Sequence, residues 1–391
     1  MKIGQILLIM MVLSSLGAQT ADTLRTLAMP QFANPFYNAF SRNYLGTEAA
    51  GRGYTGAAIA GNTSNFLVNP ATCQPDSTRF FVELNIKPPI TAEGYIYESR
   101  YSSPIPFSLA GVSIPFGTKF SAALAYNMPR SIVLDDYSIE ISMGNEIVTR
   151  YPKYYLHQFS GAVSYKANDR WQLGLSLHNQ IHYLDDVVYL RTYERIRDYR
   201  YALRIQPGVL YSNNGLSLGV SMHPESKIDW DLKYGKYDTV LPMEATGGLS
   251  YQTGLLRLSA DASWEQYSAI DKKYSDKLSI HAGLERTENK TTYRLGYFYT
   301  PNVYKGIVII PSNTTASADT SIFWDAVATS VPIADNEQHF LTGGLGYQFK
   351  DGSLNLAFMQ TIVGETKQTQ INLSLSIYLN SFKRKNFLYH E

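Results

Sequence analysis

The side chains that could carry out chemistry are dispersed along this 391-residue chain. Two of its seven histidines, His178 and His182, lie four residues apart. On a helix that spacing would suit a metal ion, but on a strand it separates the two rings by about 13 Å. The sequence has no Gly-x-Ser-x-Gly nucleophile motif and no clustered metal ligands. We therefore expect no enzymatic activity, no catalytic residues, no metal and no cofactor, and a hydrolase is the alternative.

A segment rich in glycine and alanine, residues 44–76, has the most distinctive composition of the chain. Small side chains allow a backbone to pack closely against surrounding walls. The segment ends in Asn69-Pro70-Ala71, which predicts a helix start with Asn69 as the N-cap and Pro70 in the first helical position. Its glycines are Gly46, Gly51, Gly53, Gly56 and Gly61.

Residues 51–56 also fit the dinucleotide-binding pattern Gly-x-Gly-x-x-Gly. That pattern binds a nucleotide when a hydrophobic strand precedes it and a βαβ unit follows it. The sequence offers neither, so we expect no nucleotide here. The net charge of +1 provides no basic field, which argues against nucleic acid as a partner.

Beyond residue 77 the sequence alternates between apolar and polar residues, a pattern typical of strands. In residues 171–178, for example, Trp and Leu alternate with Gln, Gly, Ser and His. The alternation predicts about fourteen strands. They are placed at 78–87, 105–116, 118–128, 152–166, 170–185, 199–212, 215–229, 241–252, 255–266, 276–286, 290–300, 338–349, 353–363 and 368–379. Most connections alternate between tight turns and longer excursions, the latter at 88–104, 129–151, 186–198, 230–240, 267–275 and 301–337.

Composition narrows the architecture that these strands can build. Charged residues make up 17% of the chain, mean hydropathy is −0.18, and no apolar run reaches the ~18 residues of a spanning helix. Since an open sheet edge is costly in lipid, we expect an all-β, transmembrane antiparallel β-barrel with aliphatic residues facing lipid and small or polar residues facing the lumen. A soluble all-β domain is the alternative. Tyrosines near the strand ends are expected at the lipid headgroups: Tyr126, Tyr155, Tyr183, Tyr211, Tyr267, Tyr299 and Tyr347.

The N-terminus has the features of a cleavable export signal. Lys2 precedes a short apolar core, and small residues lead up to Ala18. We divide the chain into a signal peptide (1–18), an N-terminal extension (19–43), a hatch (44–76), a barrel (77–379) and a C-terminal tail (380–391). The single cysteine, Cys73, excludes an intramolecular disulfide framework. Export and a barrel together predict the outer membrane of a Gram-negative-type bacterium.

The Gly/Ala-rich segment with its Asn-Pro-Ala ending resembles the N-terminal hatch of the FadL-type family, outer-membrane transporters of hydrophobic compounds such as long-chain fatty acids. Residues 264–267, 295–299 and 342–347 are similar to the late strands of that family. The resemblance implies a fourteen-stranded barrel with the hatch in its lumen. It also implies passive, hatch-gated diffusion of a ligand that leaves sideways into the membrane.

The implied partners are membrane lipid and a hydrophobic or amphipathic small molecule. Within the lumen we expect Arg257, Arg294 and His281 to contact a ligand, because a desolvated carboxylate needs a charge-assisted bond. The long N-terminal extension, the basic tail and the polar outer loops depart from the family. Similar Gly/Ala segments with Asn-Pro-Ala occur in barrel components of type IX secretion. A secretion-associated role, with a secretion-system or surface partner, or a structural role without transport, is therefore the alternative.

Overall fold

The computed structural model describes residues 39–93, 98–103, 105–141, 146–150, 153–190, 192–232, 235–270, 274–301, 337–364 and 367–379. The predicted signal peptide, nearly all of the N-terminal extension and the C-terminal tail lie outside these residues. The described strands are β1 (Thr78–Ile86), β2 (Ile90–Glu93), β3 (Glu98–Ser102), β4 (Phe107–Phe116), β5 (Phe120–Ile141), β6 (Glu146–Arg150), β7 (Lys153–Lys166), β8 (Trp171–Leu190), β9 (Thr192–Asn213), β10 (Leu216–His223), β11 (Ser226–Leu232), β12 (Gly235–Leu241), β13 (Glu244–Thr253), β14 (Leu256–Glu265), β15 (Lys277–Glu288), β16 (Thr291–Thr300), β17 (Gln338–Phe349), β18 (Gly352–Val363) and β19 (Thr369–Leu379).

Fourteen of the described strands close into one antiparallel barrel. Strand β1 pairs with β4 on one side and with β19 on the other, so the sheet has no open edge. Between them the order is β4, β5, β7, β8, β9, β10 and then β13 to β19. The all-β, fourteen-stranded barrel that the sequence predicts is therefore confirmed. Strands β2, β3, β6, β11 and β12 are short additions at one end.

The tight turns of the barrel lie at one end, which we call the short-turn end. Asn214 and Asn289 adopt positive φ values of 50° and 55° in two of these turns, a conformation that asparagine tolerates better than most residues. We call the opposite end the long-loop end.

Two of the predicted long connections are wrong, because strands continue through much of them. Strand β5 runs to Ile141, and β8 and β9 stay paired as far as Leu190 and Thr192. An ion pair between Asp185 and Arg195 stabilises this extension of β8 and β9. The polar, charged sequence of this extension predicts a loop. Charged side chains are nevertheless compatible with strands that extend beyond the lipid. The predicted excursion at 230–240 is mostly the hairpin of β11 and β12, and nearly all of 301–337 lies outside the described residues.

The two faces of the wall differ as the alternation predicts. On β8, Leu173, Leu175 and Leu177 point outward and are 47–49% exposed. Ser176 and His178 point into the lumen and are buried. The same outward row of large apolar side chains continues around the barrel, and such an exterior is suited to lipid rather than water. In the part of the chain described here, no helix has the length and apolarity needed to span a membrane.

Aromatic residues gather on the exterior near both ends of the barrel. At the short-turn end, the rings of Trp171 and Tyr211 lie 4.9 Å apart. At the long-loop end, Tyr183 contacts Tyr155 at 5.9 Å and Tyr199 at 4.6 Å. Two such girdles mark the levels at which a barrel crosses the lipid headgroups.

Tyr267 does not belong to these girdles, contrary to the sequence-based prediction. It is 1% exposed and lies in the 3-10 turn Tyr267–Ala269. Strand β14 ends at Glu265, so the chain turns before the ring and places it inside, edge-on to Tyr274 at 6.3 Å.

Candidate functional site in the lumen

Residues 40–73 run through the barrel lumen, and we call them the plug. Toward the long-loop end, Asn43 donates from its backbone to Pro129 O at 2.9 Å and from its side chain to Met128 O at 2.8 Å. In the middle, the helix α1 (Thr47–Gly51) packs against β16 to β19. Toward the short-turn end, the 3-10 turn Pro70–Thr72 contacts β7, β8 and β9. The plug therefore crosses the lumen lengthwise.

Asn69 fixes the short-turn end of the plug. Its Oδ1 accepts a bond from the backbone N–H of Ala71 at 3.1 Å and so caps the turn Pro70–Thr72, the arrangement that the sequence predicts. Its Nδ2 donates to Ala57 O at 2.7 Å and to Val209 O at 3.1 Å. One side chain thus joins the turn, the rest of the plug and strand β9.

Glycines of the barrel wall receive the plug, and we call them the seat glycines. They are Gly174, Gly208, Gly219, Gly283 and Gly296. A Cβ on Gly219 would lie 1.9 Å from Ala57 O, and one on Gly296 would lie 1.9 Å from Gly53 N. The wall glycine Gly247, by contrast, has nothing within 4 Å of such a Cβ. The seat glycines were not predicted from the sequence, although glycines at lumen-facing strand positions are a usable signal.

The glycines predicted for the hatch lie in the plug. Gly53 has a φ of 67°, and a Cβ there would lie 2.4 Å from Ala282 O on the wall. The plug therefore has no room for a larger residue at this position. Gly51 is apposed to Gly344 of β17, with 3.1 Å between the Gly344 Cα and a Cβ on Gly51. The others are Gly46, Gly56 and Gly61.

Buried carboxylates of the wall bind backbone N–H groups of the plug. Glu83 on β1 accepts from the N–H groups of residues 46–47, at 3.0 and 2.5 Å, and so caps the start of α1. Asp261 on β14 accepts from the N–H groups of residues 56–57, at 2.7 and 2.9 Å. Since bonds to a carboxylate are about twice as strong as neutral ones, these two acids are strong attachments of the plug.

A third wall carboxylate, that of Glu285 on β15, accepts hydrogen bonds from three arginines. Arg52 of the plug donates to it at 2.6 Å, and Arg257 and Arg294 of the wall donate at 2.9 and 2.8 Å. Glu48 of the plug lies 3.6 Å from Arg294. The two arginines expected to contact a ligand therefore lie in an ion-pair network that holds the plug, and their contact with a ligand stays a prediction.

His281 is also placed against the plug. Its ring Nδ1 lies 2.9 Å from Gly53 O, and the ring stacks on Phe298 at 5.3 Å. Phe298 continues into a buried cluster with Phe340 and Tyr44. The predicted ligand contact of His281 is likewise untested by this geometry.

A pocket opens between the plug and the long-loop end of the wall. Its cavity volume is about 40 Å³, enough for a group the size of a carboxylate. Its lining combines apolar and charged residues, namely Arg130, Leu156, Gln180, His182, Arg204, Leu241, Pro242, Glu244, Glu265 and Tyr267.

The charged groups of this pocket are not equivalent. Arg204 is paired with Glu244 at 2.9 Å, and Glu265 accepts from Arg42 of the plug at 2.9 Å. Arg130 donates to a hydroxyl of the plug, Ser41 Oγ, at 3.2 Å. Among the hydrogen bonds described, Arg130 therefore differs from Arg204 in that it donates to a hydroxyl group and not to a carboxylate.

Other chemistry is sparse in this lumen. Among the described residues, no group of three or more His, Cys, Asp or Glu side chains is arranged to hold a metal ion. Cys73 is buried beside Phe66 and Phe81, and burial raises the pKa of its thiol to about 12. That thiol is therefore unsuited to act as a nucleophile.

Comparisons with known proteins find a match at the level of structure. No protein-family model and no curated protein sequence matches the chain. A FadL homologue from Pseudomonas aeruginosa superposes with a TM-score of 0.63 at 14% identity, over 85% of this chain and 98% of that one. The chain has the FadL-type fold. The toluene transporters TodX of P. putida (TM-score 0.60, 15% identity, 86% and 99% covered) and TbuX of Ralstonia pickettii (0.58, 13%, 86% and 98%) share this fold.

The FadL-type barrel of this chain has a break in its wall beside the plug. The pairing of β5 with β7 shifts between Asn127 and Arg130, which leaves Met128 and Pro129 outside the regular ladder. Pro129 has no N–H to donate, so the ladder cannot be continuous here. Asn43 of the plug binds the carbonyls of both residues. The plug therefore binds backbone carbonyls at a place where the pairing of β5 with β7 is interrupted.

Proposed function

We propose that this chain is an outer-membrane channel through which hydrophobic or amphipathic small molecules diffuse passively, gated by the plug. The observation that carries the proposal is the position of the plug, which fills the lumen yet is attached to the wall by noncovalent bonds alone among the described residues. A closed barrel with an apolar exterior supports the membrane location, and the predicted signal peptide supports export. TodX and TbuX, which share the fold, are described as toluene transporters.

The proposed route starts at the pocket on the long-loop side of the plug. Arg130 of the pocket directly follows Met128 and Pro129, and the bonds of Asn43 to these two residues cover the break in β5. A displacement of this end of the plug uncovers the break, and the ligand then leaves sideways into the membrane. No ATP and no cofactor is needed, because the ligand moves down its own gradient.

The proposed ligand is a long-chain fatty acid or a molecule of similar chemistry. Leu156, Leu241 and Tyr267 offer the pocket an apolar side, and Arg130 offers a guanidinium that binds only a hydroxyl of the plug among the bonds described. The cavity of about 40 Å³ has room for the carboxylate head beside Arg130, and the chain would pack against the apolar side once the plug is displaced.

Uptake into proteoliposomes tests this function. Labelled oleate and labelled toluene serve as probes, with the intact protein, a variant lacking residues 45–71, and Arg130→Gln. We expect oleate uptake by the intact protein, unselective leakage after the deletion, and oleate uptake reduced about tenfold in Arg130→Gln. The matched control is Arg286→Gln, an exposed arginine paired with Glu288 at the short-turn end.

Other outcomes decide against parts of the proposal. Unchanged, selective uptake after removal of residues 45–71 would rule out gating by the plug. Uptake of toluene but not oleate, unaffected by Arg130→Gln, would overturn the fatty-acid assignment. Absence of uptake for both probes, together with copurification of a second barrel or a secreted protein, would favour the secretion-associated alternative.

A further inference from the structure

A row of charged side chains lies on the outer surface of the barrel, beyond the girdle at the long-loop end. Lys153, Asp185 and Arg197 are direct cross-strand partners on β7, β8 and β9. The neighbouring row toward the membrane is Tyr155, Tyr183 and Tyr199. Residues two apart on a strand share a face, so the charged row and the tyrosine row face the same way, about 7 Å apart along the strands.

The rows below the tyrosines establish that this face is the lipid-facing one. Two residues further along, Tyr201 is 70% exposed on β9, and the next row contains Phe159, which is 50% exposed, and Leu203, which is 62% exposed. The order along the exterior is therefore a mainly apolar band, which also contains His157 and Asn179, then tyrosine, then charged. Because tyrosines sit at the headgroup level of a membrane, the charged row lies at or just above the headgroups of the leaflet at the long-loop end.

Among the described side chains of this surface, cations outnumber carboxylates. Asp185 is 8% exposed and binds Arg195 through two bonds, at 2.8 and 2.7 Å, and Arg197 through one at 3.2 Å. Tyr183 donates its hydroxyl to the same carboxylate at 2.9 Å. The single acid positions both guanidinium groups, while Lys153 adds a third cation on the same row.

Among the described side chains on this outer face, the three cations Lys153, Arg195 and Arg197 accompany the one carboxylate of Asp185. Arg195 and Arg197 are 46% and 47% exposed despite their bonds to Asp185, so both guanidinium groups are accessible to a ligand. Guanidinium groups held in a fixed orientation are well suited to phosphate, whose oxygens match their fork of N–H donors.

We propose that Lys153, Arg195 and Arg197 form a binding site for the phosphate groups of a phosphorylated lipid in the leaflet at the long-loop end. The proposal rests on the proposed membrane location. The occupant is a lipid rather than free phosphate because the row lies directly above the tyrosines and the apolar rows, where the acyl chains of the same molecule would pack. Such a lipid anchors this side of the barrel, where β7 to β9 project beyond the membrane.

Native mass spectrometry of the full chain in detergent tests the site. The probe is lipid A carrying two phosphates, compared with its dephosphorylated form and with inorganic phosphate. The variant is Lys153→Gln with Arg197→Gln, which leaves the two-bond pair of Arg195 and Asp185 intact. Arg286→Gln is the control, since it removes an exposed arginine at the opposite end. Heat-modifiable gel mobility verifies that each variant is a folded barrel.

We expect the intact protein and the control to retain the phosphorylated lipid. We expect the double variant, which lacks two cations, to bind it about 30-fold more weakly. Equal binding by the double variant and the control would overturn the site. So would equal binding of the dephosphorylated lipid, or competition by inorganic phosphate as effective as that of the lipid. Since oleate uptake is measured separately, failure of this site leaves the transport proposal standing, and failure of transport leaves this site standing.

Discussion

Replacing Gly219 by alanine should loosen the plug without altering the exterior of the barrel. The added Cβ would lie 1.9 Å from Ala57 O and 2.6 Å from Ala57 C. To reach ordinary contact at about 3.5 Å, the plug backbone must move by about 1.5 Å. That movement also stretches the bonds from residues 56–57 to Asp261.

The cost of such overpacking is about 1–3 kcal/mol. If this cost destabilises only the closed state, the population of molecules with a displaced plug rises about 5- to 150-fold, because each 1.4 kcal/mol changes an equilibrium constant about tenfold. Conductance in planar bilayers reports that population directly. Gly247→Ala is the matched control on the neighbouring strand β13, because its Cβ would meet nothing within 4 Å. Equal conductance of Gly219→Ala and Gly247→Ala, with both barrels folded, would refute the assignment of Gly219 as a seat for the plug.

Three further changes test other parts of the account. Glu83→Gln should weaken the cap on α1 by about 1–3 kcal/mol and raise bilayer conductance, and conductance equal to that of the intact protein would contradict the role of this carboxylate. The pKa of Cys73 is raised to about 12 in the folded chain. Its protonated thiol therefore stabilises the fold below pH ~8.5, and that contribution is lost as the pH rises toward 12. Alkylation of Cys73 at pH 7, measured by mass spectrometry, should be slow in the intact protein and faster in Gly219→Ala. Leu295→Arg, at an outward position in the middle of β16 that is 54% exposed, should reduce the free energy of unfolding in vesicles by about 2–4 kcal/mol, and a change close to zero would contradict a lipid-facing position.

The barrel could be predicted from the sequence because its signals are local. Alternation places Leu173, Leu175 and Leu177 on one face without knowledge of any partner strand, and each tight turn has its own signature, as at Asn214 and Asn289. The cap formed by Asn69 is local in the same way. These features depend on residues within a few positions of one another.

The attachment of the plug could not be predicted, because it depends on pairs that are distant in sequence. Arg52 and Glu285 are 233 positions apart, and Gly219 is opposed to Ala57 only once the barrel has closed. Arg257 and Arg294 were expected to contact a ligand from their charge and predicted orientation alone. Their shared carboxylate, Glu285, became evident only in the folded barrel.

The central claim is that the plug must move for a ligand to pass, and a reversible covalent lock tests it most directly. Thr55 Oγ1 of the plug lies 2.7 Å from Ser259 Oγ of β14, so cysteines at both positions would bring their sulfurs within reach of a disulfide of about 2.05 Å. The double variant Thr55→Cys with Ser259→Cys, made with Cys73→Ser, is compared with the single variant Thr55→Cys in the same background. We predict that oxidation abolishes oleate uptake into proteoliposomes in the double variant alone and that a reductant restores it. Equal uptake by the oxidised and reduced forms, with the disulfide verified by mass spectrometry, would contradict the claim.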